Sequence, residues 1–381
     1  MKGHIRKRGK ASWAIILDIG QDNEGKRRQK WHSVKGTKKD AERELTRLLH
    51  TLDSGSYIEP SKLTVSRYLK TWLSDYAAHQ VTPKTLERYS GIIKDHINPA
   101  IGHHPLTKLK PLHIQELYTK SLKDGRLDGK GGLAPRTVLH MHRVLHKALD
   151  QAMKWQMLIR NPTEAVVPPK PKTIEMAALD EDQVARLLEH FRESRLYLPI
   201  LIAVTTGLRR GEILALKWQN IQLSSARLHV RQSLEQTKEG LRFKSPKTEK
   251  SKRTVILPRF TVEALKEHRK RTAERKLKLG KVYQDNDLVC AREDGTIWPP
   301  DTLSTLFAAR IKKAPVPKIR FHDLRHTHAT QLLKQGVHPK IVSERLGHSN
   351  ISITLDTYSH VLPGMQEEAI AVFDRNFKGT V

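Results

Sequence analysis

The chain has 381 residues, with Lys+Arg 69 against Asp+Glu 40 and a formal net charge of +29. That length accommodates about two or three domains with their own cores. The positive field favours a polyanion, and the lack of a long uncharged apolar run argues against a membrane partner. The single Cys290 excludes an internal disulfide framework and a multi-cysteine zinc site. The N-terminus, MKGHIRKRGK, has no apolar core followed by a small-residue cleavage site, so a cytoplasmic location is expected.

Residues 1–55 read as a small basic module. Ser12–Ile19 and Arg27–Val34 alternate as strands do, separated by the turn-rich QDNEG. Gly36-Thr37 then opens a helix over Lys38–Leu52, with Leu45, Leu48, Leu49 and Leu52 on one side. Residues 1–50 hold 14 Lys/Arg against 6 Asp/Glu. That excess is either a solvated basic surface or a sheet that lays one face on DNA.

The polar stretch DSGSYIEPSK reads as a linker. Helices are expected next at Val65–Gln80, Pro83–His96, Pro111–Lys123 and Pro135–Met157, three of them opening on a proline, where a missing N–H does no harm. Their apolar stripes alternate with faces rich in Lys, Arg and His, which suits a helical clamp on DNA or a plain spacer. A Pro/Lys linker, Ala165–Glu175, follows. Beyond it the pattern is mixed. Helices are expected at Asp180–Glu193, Tyr197–Thr205 and Gly211–Leu216, strands near Arg227–Gln232, Leu241–Lys244 and Arg253–Pro258, and helices again for most of the remainder.

Five segments of this last region carry groups suited to phosphate chemistry. In TGLRRGEILALKW, Arg209 follows a Thr-Gly break and can grip a phosphate with two parallel hydrogen bonds, oriented by Glu212, or else form a structural pair with it. In KSPKTEKSKRTVILP, Lys247 is expected at a hairpin tip, as a proton donor, a phosphate partner or a solvated turn residue. In FHDLRHTHATQLLKQG, His322 and Arg325 share a helix face in the first turn, where free N–H groups attract anions; Leu324, Ala329, Leu332 and Leu333 form a core-like stripe. In HPKIVSERLGHSN, His348 projects from the break at Gly347. In TLDTYSHV, Tyr358 sits among polar residues, as a surface tyrosine would.

In this order and spacing the five segments resemble the signature of the tyrosine recombinases, most closely the phage-type, lambda-like integrases. The family pattern is Arg, Lys, His-x-x-Arg, His or Trp, then Tyr. Arg209, Lys247, His322, Arg325, His348 and Tyr358 fill it, and the step from His348 to Tyr358 also fits. The resemblance covers roughly Ala177–Val381. The helical part upstream looks like the family's core-site-binding domain, and the N-terminal part is similar to its arm-site-binding module. The expected fold is therefore multidomain and mainly α with small β-sheets. Its parts are a sheet-plus-helix module over 1–55, a helical core-binding domain over 63–165, and a mixed α+β catalytic domain with a tail helix over 177–381.

The resemblance implies a site-specific recombinase that cuts and rejoins DNA through a 3′-phosphotyrosine link, leaving a free 5′-hydroxyl and needing neither metal nor ATP. Tyr358 would be the nucleophile. Arg209 and Arg325 would hold the non-bridging oxygens, and His348 would donate to one of them. His322 is the candidate base and Lys247 the candidate acid. No cofactor or metal is expected: there is no GxxxxGK[ST] loop, and in His326-x-His328 and His140-x-His142 alternate helix residues point apart. The expected partners are double-stranded DNA attachment sites, further copies of the chain (a tetramer on DNA), and an accessory DNA-bending or directionality protein. An integrase of a mobile element is the leading expectation. A resolvase or inversion enzyme acting on host DNA, a type IB topoisomerase and a DNA-binding protein without catalysis are the alternatives. After Tyr358, Met365, Ala369, Ile370 and Phe373 fall on one face of a tail helix, to be buried on its own domain or in a neighbouring protomer.

Overall fold

The computed structural model describes residues 3–21, 25–53, 62–172, 176–245, 252–358, 370 and 374. The chain divides into two compact units, Met1–Lys172 and Thr173–Val381.

The first unit opens with an antiparallel sheet of strands β1 (Gly3–Gly9), β2 (Ser12–Gln21) and β3 (Arg27–Lys35), in that order. Ile15 pairs with Ile5 on one side and with His32 on the other. β1 is a strand that the sequence pattern did not reveal. Only Ile5 is apolar in GHIRKRG, so its extended form follows from pairing with β2 rather than from alternation. Thr37 and Asp40 cap each other's backbone N–H groups, at 3.3 and 2.9 Å, and start the helix Lys38–Asp53. Leu48 of that helix meets Ile15 and Leu17 in a small core, with Leu45, Leu49 and Leu52 packed around it.

The rest of this unit is helical. Val65–Thr71 runs through a π-helical turn, Trp72–Ala77, into Ala78–Gln80; Pro83–Ile92 runs through a second, Ile93–Ile97, into Asn98–Ile101. Pro111–Asp124 and Pro135–Lys154 complete the bundle. Prolines occupy the first turns of Pro83–Ile92, Pro111–Asp124 and Pro135–Lys154, as their missing N–H allows. Tyr68, Leu69, Trp72, Ile97, Ile114 and Leu145 are buried together in the core.

In the second unit, Asp180 and Gln183 form a reciprocal cap that starts the helix Glu181–Phe191. The helix Tyr197–Thr206 is apolar along nearly its whole length and lies in the middle of the core, with Leu187, Phe191, Leu228, Phe307 and Leu324 around it. Strands β4 (Ile221–Gln222), β5 (Arg227–Val230) and β8 (Arg253–Ile256) form one antiparallel sheet; β6 (Ser233–Thr237) and β7 (Gly240–Lys244) form a separate hairpin. Helices Arg259–Leu279, Pro300–Arg310, Asp323–Lys334, Pro339–Leu346 and Ser352–Tyr358 follow.

Two expectations change here. A hairpin tip at Lys247 requires β7 to pair with β8, but β7 pairs with β6 and β8 with β5. The stretch after Lys244 thus runs from one sheet to the other; strand alternation cannot say which strand is whose neighbour. Lys247 itself lies outside the described residues, as does most of the tail. Of the tail, Ile370 and Asp374 are described: both are helical and exposed. Tyr358, expected at the surface, is instead 2% exposed and packs with Ala329, Leu333, Val342 and Leu346. The chain segment around it is polar, but the aromatic ring is turned onto two neighbouring helices, a placement only the tertiary packing supplies.

Candidate active site

The site is assembled from chain breaks. The buried helix Tyr197–Thr206 stops at Gly207, whose φ of 68° is left-handed. A Cβ there would lie 2.5 Å from Leu346 Cδ2 and 2.7 Å from His328 Cδ2, so only glycine fits. The chain leaves this turn extended at Arg209 and enters the short helix Arg210–Leu214. Arg209 donates from its backbone N to Glu212 Oε2 at 2.9 Å and from Nη1 to Glu212 Oε1 at 3.0 Å. Glu212 is buried and shared: Arg253, at the start of β8, donates to its two oxygens at 2.8 and 3.2 Å. Burial alone would raise the carboxyl's pKa; the hydrogen bonds and charge of Arg253, with Arg209 beside it, outweigh that and hold it at about 2.

A second frame sets the far wall. Arg253 Nε donates to the Arg345 carbonyl at 2.8 Å. The Arg345 guanidinium in turn donates to His328 Nε2 at 2.9 Å and to the carbonyls of Thr205 and Ile256 at 2.9 and 3.0 Å. Gly347, left-handed at φ 68°, ends the helix Pro339–Leu346 against Arg253, and its carbonyl accepts from Arg209 Nη2 at 3.4 Å. This break brings His348 back over the arginines. His348 Nδ1 shares a hydrogen with Thr354 Oγ1 at 2.7 Å. Burial first, and then Arg325, Arg209 and Arg253, push its pKa down to about 4.

The helix Asp323–Lys334 supplies the third side. Asp323 holds the turn before it by accepting from Arg320 N at 2.7 Å and from Arg320 Nη2 at 2.8 Å. His322 is the residue that caps this helix. It reaches solvent, yet the protein packed around it and the charge of Arg325 keep its imidazole below the ordinary value. Arg325 is buried; its Nη1 donates to the Gly207 carbonyl at 2.7 Å. Its Nη2 is also buried and has no hydrogen-bond partner. Burial and the neighbouring Arg209 push Arg325 down to about 9, against the opposite pull of Glu212. A guanidinium held this way remains charged at neutral pH, short of both an acceptor and a counter-ion. An oxyanion satisfies both needs at once.

Tyr358 ends the helix Ser352–Tyr358, and its hydroxyl lies 2.7 Å from His326 Nδ1. Burial pushes the phenol up to about 12, with Arg325 pulling the other way. His326 is itself lowered to about 4, by burial first and then by His322, Arg325 and Arg320, against the opposite pull of Asp323. The rings of His322 and His326 meet edge-on, 5.1 Å apart.

The fold thus brings together Arg209, Glu212, His322, Arg325, His348 and Tyr358 from separate stretches of the second unit. Sequence reasoning missed Arg253, Arg345 and His326. His326 had a signal: it lies four residues after His322, on the same helix face. Arg253 and Arg345 had none, because their roles depend on crossing from one element to another. His326 and His328 point apart, as helix geometry requires; His328 Nδ1 faces the Val204 carbonyl at 2.7 Å. His142 Nδ1 is engaged by the Tyr118 hydroxyl at 2.9 Å. Among the described residues, His146, Asp150 and Glu164 of the first unit have possible ligand atoms within 4.8 Å of one another, with Asn161 already donating to Asp150 at 3.4 Å. No helix among the described residues is long and apolar enough to cross a membrane.

The model of the phage integrase family matches residues 177–364, and that of a phage integrase N-terminal SAM-like domain matches residues 64–122. A tyrosine recombinase XerC-like protein of Caldanaerobacter subterraneus subsp. tengcongensis is 32% identical, covering 99% of this chain and 99% of its own length. Among solved structures, the Tn1549 transposon integrase in complex with a circular intermediate DNA superposes with a TM-score of 0.66 at 21% identity, over 82% of this chain and 99% of that one. A lambda integrase tetramer bound to a Holliday junction gives 0.57 at 19% identity, over 93% of this chain and 94% of that one. The likeness of fold agrees with the end-to-end relationship in sequence: this chain belongs to the phage integrase family of tyrosine recombinases, site-specific enzymes that break and rejoin DNA.

Proposed function

We propose that Tyr358 attacks a DNA phosphodiester held between Arg209 and Arg325, and that the enzyme by this route integrates or excises a mobile element. The observation that carries this reading is the buried Arg325 guanidinium. One of its nitrogens is fixed by the Gly207 carbonyl and the other has no acceptor, and Tyr358 lies within its field. A phosphodiester repels nucleophiles, and without metal its extra charge in the five-coordinate transition state falls to fixed donors. Arg209 and Arg325 take the two non-bridging oxygens and His348 donates to one of them. Glu212 orients Arg209. His322 borders the same helix start, where free N–H groups attract an anion. Lys247 is assigned the proton that the departing 5′-oxygen needs. The covalent 3′-phosphotyrosine conserves the bond energy, so rejoining runs without ATP.

In this reading residues 177–381 are the catalytic domain, residues 63–165 grip the core site and residues 1–55 contact separate arm sites. The partners are double-stranded attachment sites, three further copies of the chain and an accessory bending or directionality protein, in the cytoplasm of a bacterial host. Ile370 is helical and 60% exposed, which supports its burial in a neighbouring protomer. The test is Tyr358→Phe on a nicked suicide substrate: DNA is bound as by the parent, and no DNA-linked protein band forms on a denaturing gel. A band persisting in the variant overturns the assignment.

A further inference from the structure

We infer that His326 is the base that takes the proton from Tyr358, a role that rests on Tyr358 being the nucleophile. A phenol has one hydrogen to donate, and the atom that faces the Tyr358 oxygen, at 2.7 Å, is His326 Nδ1. In the tautomer with its own hydrogen on Nε2, the imidazole offers the Nδ1 lone pair to that hydrogen.

The other bases near the site are committed elsewhere or turned away. Glu212 is held by Arg209 and Arg253, and Asp323 by Arg320. The Nδ1 of His348 is paired with the Thr354 hydroxyl. His322, which signature spacing alone favours as the base, is exposed and meets the ring of His326, 5.1 Å away, rather than the phenol. Its position suits support of His326 from behind. The charges facing His326 are Arg320, Asp323 and Arg325 on its own segment, with His322 beside it and His348 and Tyr358 across from it.

The resting pair holds its proton on oxygen, since the phenol sits at about 12 and the imidazole at about 4. Free phenolate therefore does not accumulate, and a lone protein does not carry an armed nucleophile. Transfer accompanies bond formation. The O–H bond breaks towards Nδ1, the phenolic oxygen's electron pair forms the O–P bond, the P–O5′ bond breaks, and the 5′-oxygen takes a proton from the acid assigned to Lys247. The incoming phosphate adds negative charge next to His326 and favours its protonated form. On rejoining, the imidazolium returns the same proton to the departing phenolic oxygen.

The test uses the full chain and single-turnover cleavage of a nicked suicide substrate. His326→Asn places an amide oxygen where Nδ1 was; it accepts the phenol's hydrogen bond but takes no proton. His326→Ala removes both functions. The expected result is that both variants bind a half-site as the parent does and cleave about 10²–10⁴-fold more slowly. Replacing Tyr358 with a fluorinated tyrosine of more acidic phenol restores most of the loss. A substrate with sulfur in the bridging 5′ position, whose leaving group needs no acid, rescues Lys247→Ala and leaves the His326 variants slow. Parent-like cleavage by His326→Asn reduces His326 to a positioning residue and overturns the proposal. So does parent-like cleavage by His326→Ala, or a fluorotyrosine that restores nothing. Failure of the nucleophile reading is distinct: it shows as a covalent band in Tyr358→Phe, whatever His326 does.

Discussion

The helical bundle of the first unit and the core of the second are built on opposite rules about charge. Among the described residues, the buried polar groups of the bundle are Ser121, Gln151, Asn161 and Thr163, none of them ionised. Its buried phenols find neutral partners within the bundle: Tyr68 donates to the Ala148 carbonyl and Tyr118 meets His142. The second unit buries Glu212, Asp323, Arg325 and His328, and nearly all of the Arg253 side chain. His328 is neutral there, its pKa lowered to about 3 by burial first, but each of the ions costs several kcal/mol to take out of water unless others repay it. The bundle has no reason to accept that cost. In the proposed mechanism the second unit accepts it where a phosphate is to be met by charges that do not rearrange. Its large apolar core around the helix Tyr197–Thr206 carries the deficit. A domain's departures from apolar packing thus mark where its chemistry lies.

The sharpest way to break this contrast is Glu212→Gln. It takes from the buried Arg253 the carboxylate that two of its nitrogens donate to, and the expected loss of stability is about 3–5 kcal/mol, read by chemical denaturation. Cleavage falls as well, because Arg209 loses its anchor. A loss below about 1 kcal/mol would mean that the buried charges are not under the tension described. A somewhat smaller effect is expected from pH. The Glu212 carboxyl, ordinarily at 4.5, is held at about 2 in the folded chain. A group depressed in this way contributes stability that is fully present above about 4.5 and fades as pH falls towards 2. Its contribution is roughly 3 kcal/mol. Denaturation at a series of pH values should show this loss in the parent and not in Glu212→Gln, so that the gap between the two narrows as pH falls towards 2. The smallest effect is expected in the bundle. Tyr118→Phe removes one hydrogen bond to His142 from an uncharged core and should cost about 1 kcal/mol, with cleavage of bound substrate unchanged. If it slowed cleavage as much as Glu212→Gln does, the division of labour between the two regions would fail.

Much of the site was legible before any coordinates. Helix starts at Pro83, Pro111 and Pro135 follow from proline's fixed φ and absent N–H, and those helices stand where expected. The breaks at Gly207 and Gly347, which aim Arg209 and His348, are local backbone chemistry, readable from Thr-Gly and Leu-Gly after apolar helical runs. The spacing of Arg209, His322, Arg325, His348 and Tyr358 then marked which polar groups to bring together.

What local pattern could not decide is anything set by partners distant in the chain. β1 exists because β2 offers it an edge, and β7 and β8 part company because pairing is a choice among neighbours. Arg253 reads as one more basic residue until β8 sets it against Glu212, 41 positions away. Tyr358 reads as a surface residue until its ring packs on two helices and its hydroxyl finds His326. The sequence by itself determined the helix starts, the glycine breaks and a set of candidate groups, since the first two depend on residues a few positions apart and the last on the spacing of a pattern. Only the tertiary structure decided which of those groups touch, because burial, a shared carboxylate and a proton acceptor are properties of pairs that the chain brings together from far apart.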